Sequence, residues 1–171
     1  MQSLEVRPSA RNHRQGVMKI GPLTLKVALG RSGVGSFKRE GDGHTPRGPL
    51  RLLYGFWRSD RIARPVTQLP MLPSRKTMVW CDDPKSPTYN RLSRLPLKES
   101  HETMCRADQL YDIVIVMDWN VSSRRRGAGS AIFLHLARPG FMPTEGCIAV
   151  RERDMRRLLA VADARTVIHV K

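Results

Sequence analysis

The chain has 171 residues, enough for one domain with a full hydrophobic core. With 40 % hydrophobic and 26 % charged residues it is not a disordered chain, and no apolar run approaches the roughly 18 residues that span a bilayer. A net charge of +15 favours anionic partners, whether nucleic acid, a membrane surface or acidic cell-wall fragments, without choosing among them.

The opening stretch, Met1 to Gly16, is polar and basic and lacks the apolar segment of a secretory signal. The expectation is a cytoplasmic protein, or a periplasmic one if a leader precedes this start. Val17 to Ile20, a Gly21-Pro22 turn and Leu23 to Leu29 read as a β-hairpin. A glycine-rich loop runs from Gly30 through Gly48, and Pro49 to Trp57 returns to a strand-like pattern. The stretch from Arg58 to Lys98 holds six prolines, which remove ladder donors and fix φ, so loops and edge segments are expected there. Trp80 and Tyr89 are its candidate anchors to the core.

Tyr111 to Met117 is the clearest buried strand, rich in β-branched residues, and Ala131 to Leu136 is another. Met155, Leu158, Leu159 and Ala162 recur at helical spacing, with Arg153, Arg156 and Arg157 on the other side. Thr166 to Val170 closes the chain as a strand. These elements predict a single, mainly β domain over residues 1–171, with one clear helix near the C-terminus.

Three cysteines, Cys81, Cys105 and Cys147, are odd in number and widely spaced, which suits free thiols in a reducing compartment. Gly30 and Gly35 imitate phosphate-loop spacing, but Ser36 and Phe37 stand where Lys and Ser or Thr are needed. His101-Glu102-Thr103-Met104-Cys105 imitates a zinc-protease helix with Cys105 in place of the second histidine; no metal and no organic cofactor are expected. His13 and His169 read as solvated or structural.

One stretch carries chemistry: Ser130 to Cys147, in which His135 ends a predicted strand and Gly146-Cys147 closes the following loop. A protonated thiol is a weak nucleophile, with only about 3 % thiolate at pH 7. A neighbouring imidazole corrects this by taking the proton. Gly146 allows close backbone approach, and the amides around Gly146 and Cys147 are candidate oxyanion donors. Spacing alone leaves a plain alternative open, in which His135 is a satisfied core histidine and Cys147 an inert buried thiol.

His135, Thr144, Gly146 and Cys147 resemble the catalytic motif of the L,D-transpeptidase (YkuD-like) family, a His followed by Ser/Thr-His-Gly-Cys. Upstream, Thr45-Pro46-Arg47-Gly48 resembles the Thr-Pro-x-Gly turn of the same domain, so the likeness covers roughly residues 17–150. It implies a YkuD-like β-sandwich in which Cys147 is the nucleophile, His135 the general base, Gly146 an oxyanion-hole amide and Thr144 a substrate contact. Two departures stand out. Glu145 replaces the family's second histidine, either to meet a substrate amine or to face solvent. Ala149 replaces a frequent arginine, with Arg138 as candidate substitute unless it is a plain surface residue.

The implied reaction is acyl transfer at the L,D bond of peptidoglycan stem peptides or muropeptides, between diaminopimelate and D-Ala. The expected form is an L,D-carboxypeptidase trimming tetrapeptides; the alternative is an exported transpeptidase making 3-3 cross-links. A basic nucleic-acid-binding module is a remote third possibility, and no nucleic-acid partner is expected.

Overall fold

The computed structural model describes residues 3–171. Along the chain run β1 (Ser3–Pro8), β2 (Gln15–Ile20), β3 (Leu23–Ala28), the two-residue strands β4 (Val34–Gly35) and β5 (Thr45–Pro46), and the long β6 (Gly48–Trp57). Next come β7 (Met71–Pro73), β8 (Met78–Cys81), β9 (Arg91–Arg94), β10 (His101–Thr103), β11 (Ile113–Met117), β12 (Phe133–Leu136) and β13 (Ile148–Val150). Helix α1 (Glu152–Val161) and β14 (Val167–Val170) complete the chain. The mainly β class with one late helix is therefore as the sequence pattern predicts.

Nine strands form one sheet in the order β11-β12-β13-β3-β2-β1-β14-β6-β7. The ten-residue β6 pairs with β14 through Gly48 to Arg51 and with β11 through Leu52 to Trp57, so the sheet closes on itself. The expected sandwich layers are thus parts of one continuous sheet. The Gly21 turn of the β2–β3 hairpin has φ +53°, a left-handed conformation that glycine adopts without a Cβ penalty.

Alternation along β11 and β12 sorts the core into two clusters. Ile113, Ile115 and Met117, with Ile132, Leu134 and Leu136, face the larger cluster, which also takes Met155, Leu158 and Leu159 of α1. Val114, Val116 and Phe133 face the other way, onto a smaller cluster with Phe56, Trp80, Met104, Tyr111 and Cys147. A separate three-stranded sheet, ordered β10-β8-β9, covers this second face. Its central strand β8 is buried along its whole length, so the proline-rich middle is not only loop and edge. Trp80 explains why: its ring packs edge-on against Phe133 at 5.1 Å, and its indole N–H donates to Asn90 at 2.9 Å. Burying one such side chain contributes roughly 1.5–3 kcal/mol, enough to hold a short strand against the entropy of a loop.

The N-terminal segment, legible only as polar, is an ordered strand because Leu4 and Val6 alternate into the core and β1 pairs in parallel with β14. The segment imitating a zinc-protease helix is strand β10, paired with β8, so its residues cannot present a helical ligand face.

Gly55 marks a tight point of the closed sheet, between Ile115 and Met71. A Cβ there would lie 2.4 Å from the Ile115 side chain and 2.8 Å from the Val114 carbonyl. Gly55→Ala is predicted to lower the unfolding free energy by roughly 1–3 kcal/mol, measured as a lower urea midpoint at unchanged slope.

Candidate active site

His135 lies on β12 with its ring on the side of the second cluster, where Tyr111 meets it edge-on at 5.3 Å between centroids. The His135 Nδ1 lies 2.8 Å from the Leu136 carbonyl oxygen. A carbonyl only accepts, so Nδ1 carries the hydrogen and Nε2 keeps its lone pair. The orienting group is thus main chain. Burial lowers the imidazole to about 4, so the ring is neutral at pH 7.

Cys147 immediately precedes β13, which pairs in parallel with β12 in the register Leu134↔Ile148 and His135↔Ala149. That register sets Cys147 abreast of Phe133, whose N–H reaches Sγ at 3.4 Å. His135 is two residues further along β12, and side chains two apart share a face. Imidazole and thiol therefore stand on the same side of the sheet and line the same cleft, of about 350 Å³. The thiol donates to the Ala131 carbonyl at 3.2 Å. Burial first, then the Glu102 carboxylate, pushes Cys147 up to about 12. The resting pair is a neutral thiol beside a neutral imidazole, with the S–H directed at main chain instead of Nε2.

The loop before Cys147 is held by two threonines. Thr144 Oγ1 donates to the Cys147 carbonyl at 2.6 Å and accepts the Gly146 N–H at 3.2 Å. Thr45 Oγ1 accepts the Gly30 N–H at 2.8 Å and reaches the same Cys147 carbonyl at 3.4 Å. The two motifs, a hundred residues apart in sequence, thus converge on one oxygen. Gly146 has φ +135°, and a Cβ there would lie 2.8 Å from the His44 carbonyl, so the turn needs glycine at this position.

Three of the residues singled out from the sequence make contacts of their own in the structure. The Gly146 N–H is already engaged by Thr144, so this amide does not face the cleft as a free oxyanion donor. Thr144 spends its hydroxyl on the turn, although the residue lines the cleft. Glu145 is 79 % exposed and pairs with Arg31 Nε at 2.7 Å, a contact worth little in stability but one that occupies its carboxylate. Arg138 is exposed at the cleft mouth, with Met142 on the rim.

The sequence reading takes His101-Glu102 to Tyr111-Asp112 as a site wall but assigns no role to any side chain on it. The Tyr111 hydroxyl donates to Glu102 at 2.5 Å, and the Arg106 guanidinium sits 5.2 Å from the Tyr111 ring. Lys38, with its side chain 2 % exposed, pairs with Asp42 at 2.5 Å and lines the same cleft. The available signal was weak: Glu102 sits in an exposed-looking polar run, and Tyr111 reads simply as the start of a strand.

Two outcomes are predicted. His135 titrates near 4 in the folded chain against about 6.5 when unfolded, so the unfolded state binds more protons between those values. Stability should therefore fall as pH drops from about 6.5 towards 4, and His135→Gln should flatten that part of the curve. Gly146→Ala should displace the turn, seen as faster alkylation of Cys147 by iodoacetamide as its carbonyl loses the threonine contacts.

Comparison with known proteins places this geometry in a family. The YkuD family model, the L,D-transpeptidase catalytic domain, matches residues 9–170, wider than the 17–150 legible from motifs. No curated protein matches. Among solved structures, Bd1075 of Bdellovibrio bacteriovorus is 14 % identical with a TM-score of 0.44, aligned over 98 % of this chain and 47 % of its own. An L,D-transpeptidase of Mycobacterium smegmatis is 11 % identical with a TM-score of 0.44, over 99 % and 59 %. L,D-transpeptidase 1 of Mycobacterium tuberculosis is 11 % identical with a TM-score of 0.41, over 99 % and 62 %. The chain spans about half to three-fifths of the length of these structures. With the family model covering nearly all of it, the chain belongs to the YkuD family of L,D-transpeptidase catalytic domains.

Proposed function

We propose that this domain transfers the acyl group of a peptidoglycan tetrapeptide at its L,D bond, releasing D-Ala, with Cys147 as nucleophile and His135 as base. The observation that carries the reading is the shared face and shared cleft of the thiol and an imidazole whose Nε2 is left free.

In this mechanism substrate binding turns the thiol from the Ala131 carbonyl towards Nε2. His135 takes the proton as Sγ bonds to the carbonyl carbon of the third residue. The carbonyl electrons move onto oxygen, where the amide of Cys147 itself is the proposed donor, since Gly146's is engaged. The carbon–nitrogen bond then breaks, and the imidazolium returns its proton to the leaving amine of D-Ala. Water, activated by the same Nε2, attacks the thioester and frees Cys147.

The high resting value of the thiol supports proton transfer concerted with attack over a standing thiolate. It makes no energetic sense to hold an anion in a buried cleft beside Glu102 before substrate arrives. The overall charge of +15 suits anionic muropeptides, whose carboxylates an exposed arginine such as Arg138 can grip at the cleft mouth.

A second reading, cross-linking, is favoured by one feature. A neighbouring cleft of about 380 Å³ shares Leu110 and Arg138 with the first, and offers room for an acceptor peptide. The acyl-enzyme is common to both readings, and the product distinguishes them.

Incubation with disaccharide tetrapeptide should release D-Ala and leave tripeptide. Cys147→Ala and His135→Ala should each lower this rate by about 10²–10⁴-fold or more, with melting temperatures little changed. Cross-linked dimer without tripeptide would select the transpeptidase reading, and full activity in Cys147→Ala would end both.

A further inference from the structure

In a chain with twice as many basic as acidic residues, four acids line the first cleft: Glu40, Asp82, Glu102 and Glu145. Two of them are accounted for. Glu40 accepts the Tyr89 hydroxyl, and Glu145 pairs with Arg31. Asp82 and Glu102 are different. Asp82 follows β8, and its N–H donates to Ser100, while Glu102 on β10 lies opposite Trp80. This register puts Trp80, Asp82 and Glu102 on one face of the small sheet, the face that packs over the second cluster.

Asp82 Oδ1 is enclosed and has no hydrogen-bond partner among the described residues. Glu102 accepts the Tyr111 hydroxyl, and its nearest cation, Arg106, stands at 3.8 Å, beyond hydrogen-bond range, with two shorter bonds to Asp108. An enclosed carboxylate oxygen without a donor is costly unless something fills the place. A third group points to a ligand. Ser130 is only 6 % exposed and lines the cleft, with the Tyr89 hydroxyl, itself given to Glu40, as the polar group beside its own hydroxyl. Asn90 brings it close to the acids: its side-chain oxygen accepts the Ala131 N–H at 3.1 Å, and its own N–H donates to Cys81 at 2.9 Å. Ser130-Ala131 therefore lies alongside Cys81-Asp82.

Two carboxylates, one of them with an oxygen that has no donor, and a hydroxyl alongside match a group with three hydrogens to give and one positive charge. We propose that Asp82 and Glu102, with Ser130, form a subsite for a primary ammonium group of a stem peptide, in the same cleft as Cys147. This rests on the reading that the cleft takes stem peptides, and adds which chemical feature of them is recognised. The subsite also gives substrate a part in activating the thiol. Burial raises Glu102 against the Tyr111 hydrogen bond and the Arg106 charge, with Asp82 adding a smaller push upward, and the Glu102 charge in turn opposes ionisation of Cys147. An ammonium bound at the carboxylates cancels that opposition only when substrate is in place.

The test uses the Cys147→Ala protein, which holds its ligand without turnover, and two tetrapeptides whose third residue carries either a free or an acetylated side-chain amine. Calorimetry should show the free amine bound about tenfold tighter or more, as a charged hydrogen-bonded contact requires. Adding Asp82→Asn should bring the two peptides to near parity. Glu102→Gln serves as the second variant if Asp82→Asn does not melt like its parent. An acceptor source is tested by adding free-amine tripeptide to the complex with acetylated tetrapeptide: simultaneous binding that is lost in Asp82→Asn assigns the ammonium to the acceptor. Equal affinity for both tetrapeptides, with no tripeptide bound, overturns the subsite even if the wild-type enzyme releases D-Ala. Amine-selective binding without any D-Ala release overturns the acyl-transfer reading and leaves the subsite standing.

Discussion

The register between β12 and β13 is the constraint on which the site depends. Side chains alternate along a strand, so a slip of one residue in the pairing Leu134↔Ile148 would carry Cys147 to the opposite face from His135. Both sides of β12 are buried, which fixes the register from two directions at once: Leu134 and Leu136 belong to the larger core, Phe133 to the smaller. The turn entering β13 is fixed independently, by Thr144 and Thr45 on the Cys147 carbonyl and by the close approach of His44 to Gly146. The thiol therefore rests on a well-packed scaffold and not on a free loop.

Much of this was legible from residue order. The hairpin, the buried strand at Ile113–Met117, the helix with apolar residues at 155, 158, 159 and 162, and the closing strand all follow from period and β-branching. His135 and Cys147 were legible as a pair through the resemblance to the family motif, since their spacing alone leaves an inert thiol and a core histidine open. What stayed hidden depends on contacts between distant segments. Leu4 and Val6 reveal β1 only once β14 is present to pair with it. Prolines in the middle masked β8, whose burial comes from Trp80 meeting Phe133. Thr144 and Glu145 lay within the motif, yet their side chains are taken by the turn and by Arg31. Those partners have no fixed offset in the sequence.

The electrostatics of the cleft set a condition on any chemistry performed there. Imidazole and thiol are both held in their neutral forms by burial, and the nearby acids reinforce this for sulfur. A buried neutral thiol reacts slowly with oxidants and stray electrophiles, because the thiolate is the reactive species. In the proposed mechanism activation therefore comes with the ligand, through desolvated contacts and charge compensation.

The anchoring of His135 through the Leu136 carbonyl has a consequence for how such a site tolerates change over time. Where a carboxylate side chain orients a histidine, a single codon change removes it. Here the acceptor is the peptide backbone, present whatever residue occupies position 136, so the tautomer is inherited with the strand. Drift in neighbouring side chains can reshape the walls of the cleft while leaving the lone pair of Nε2 where it was.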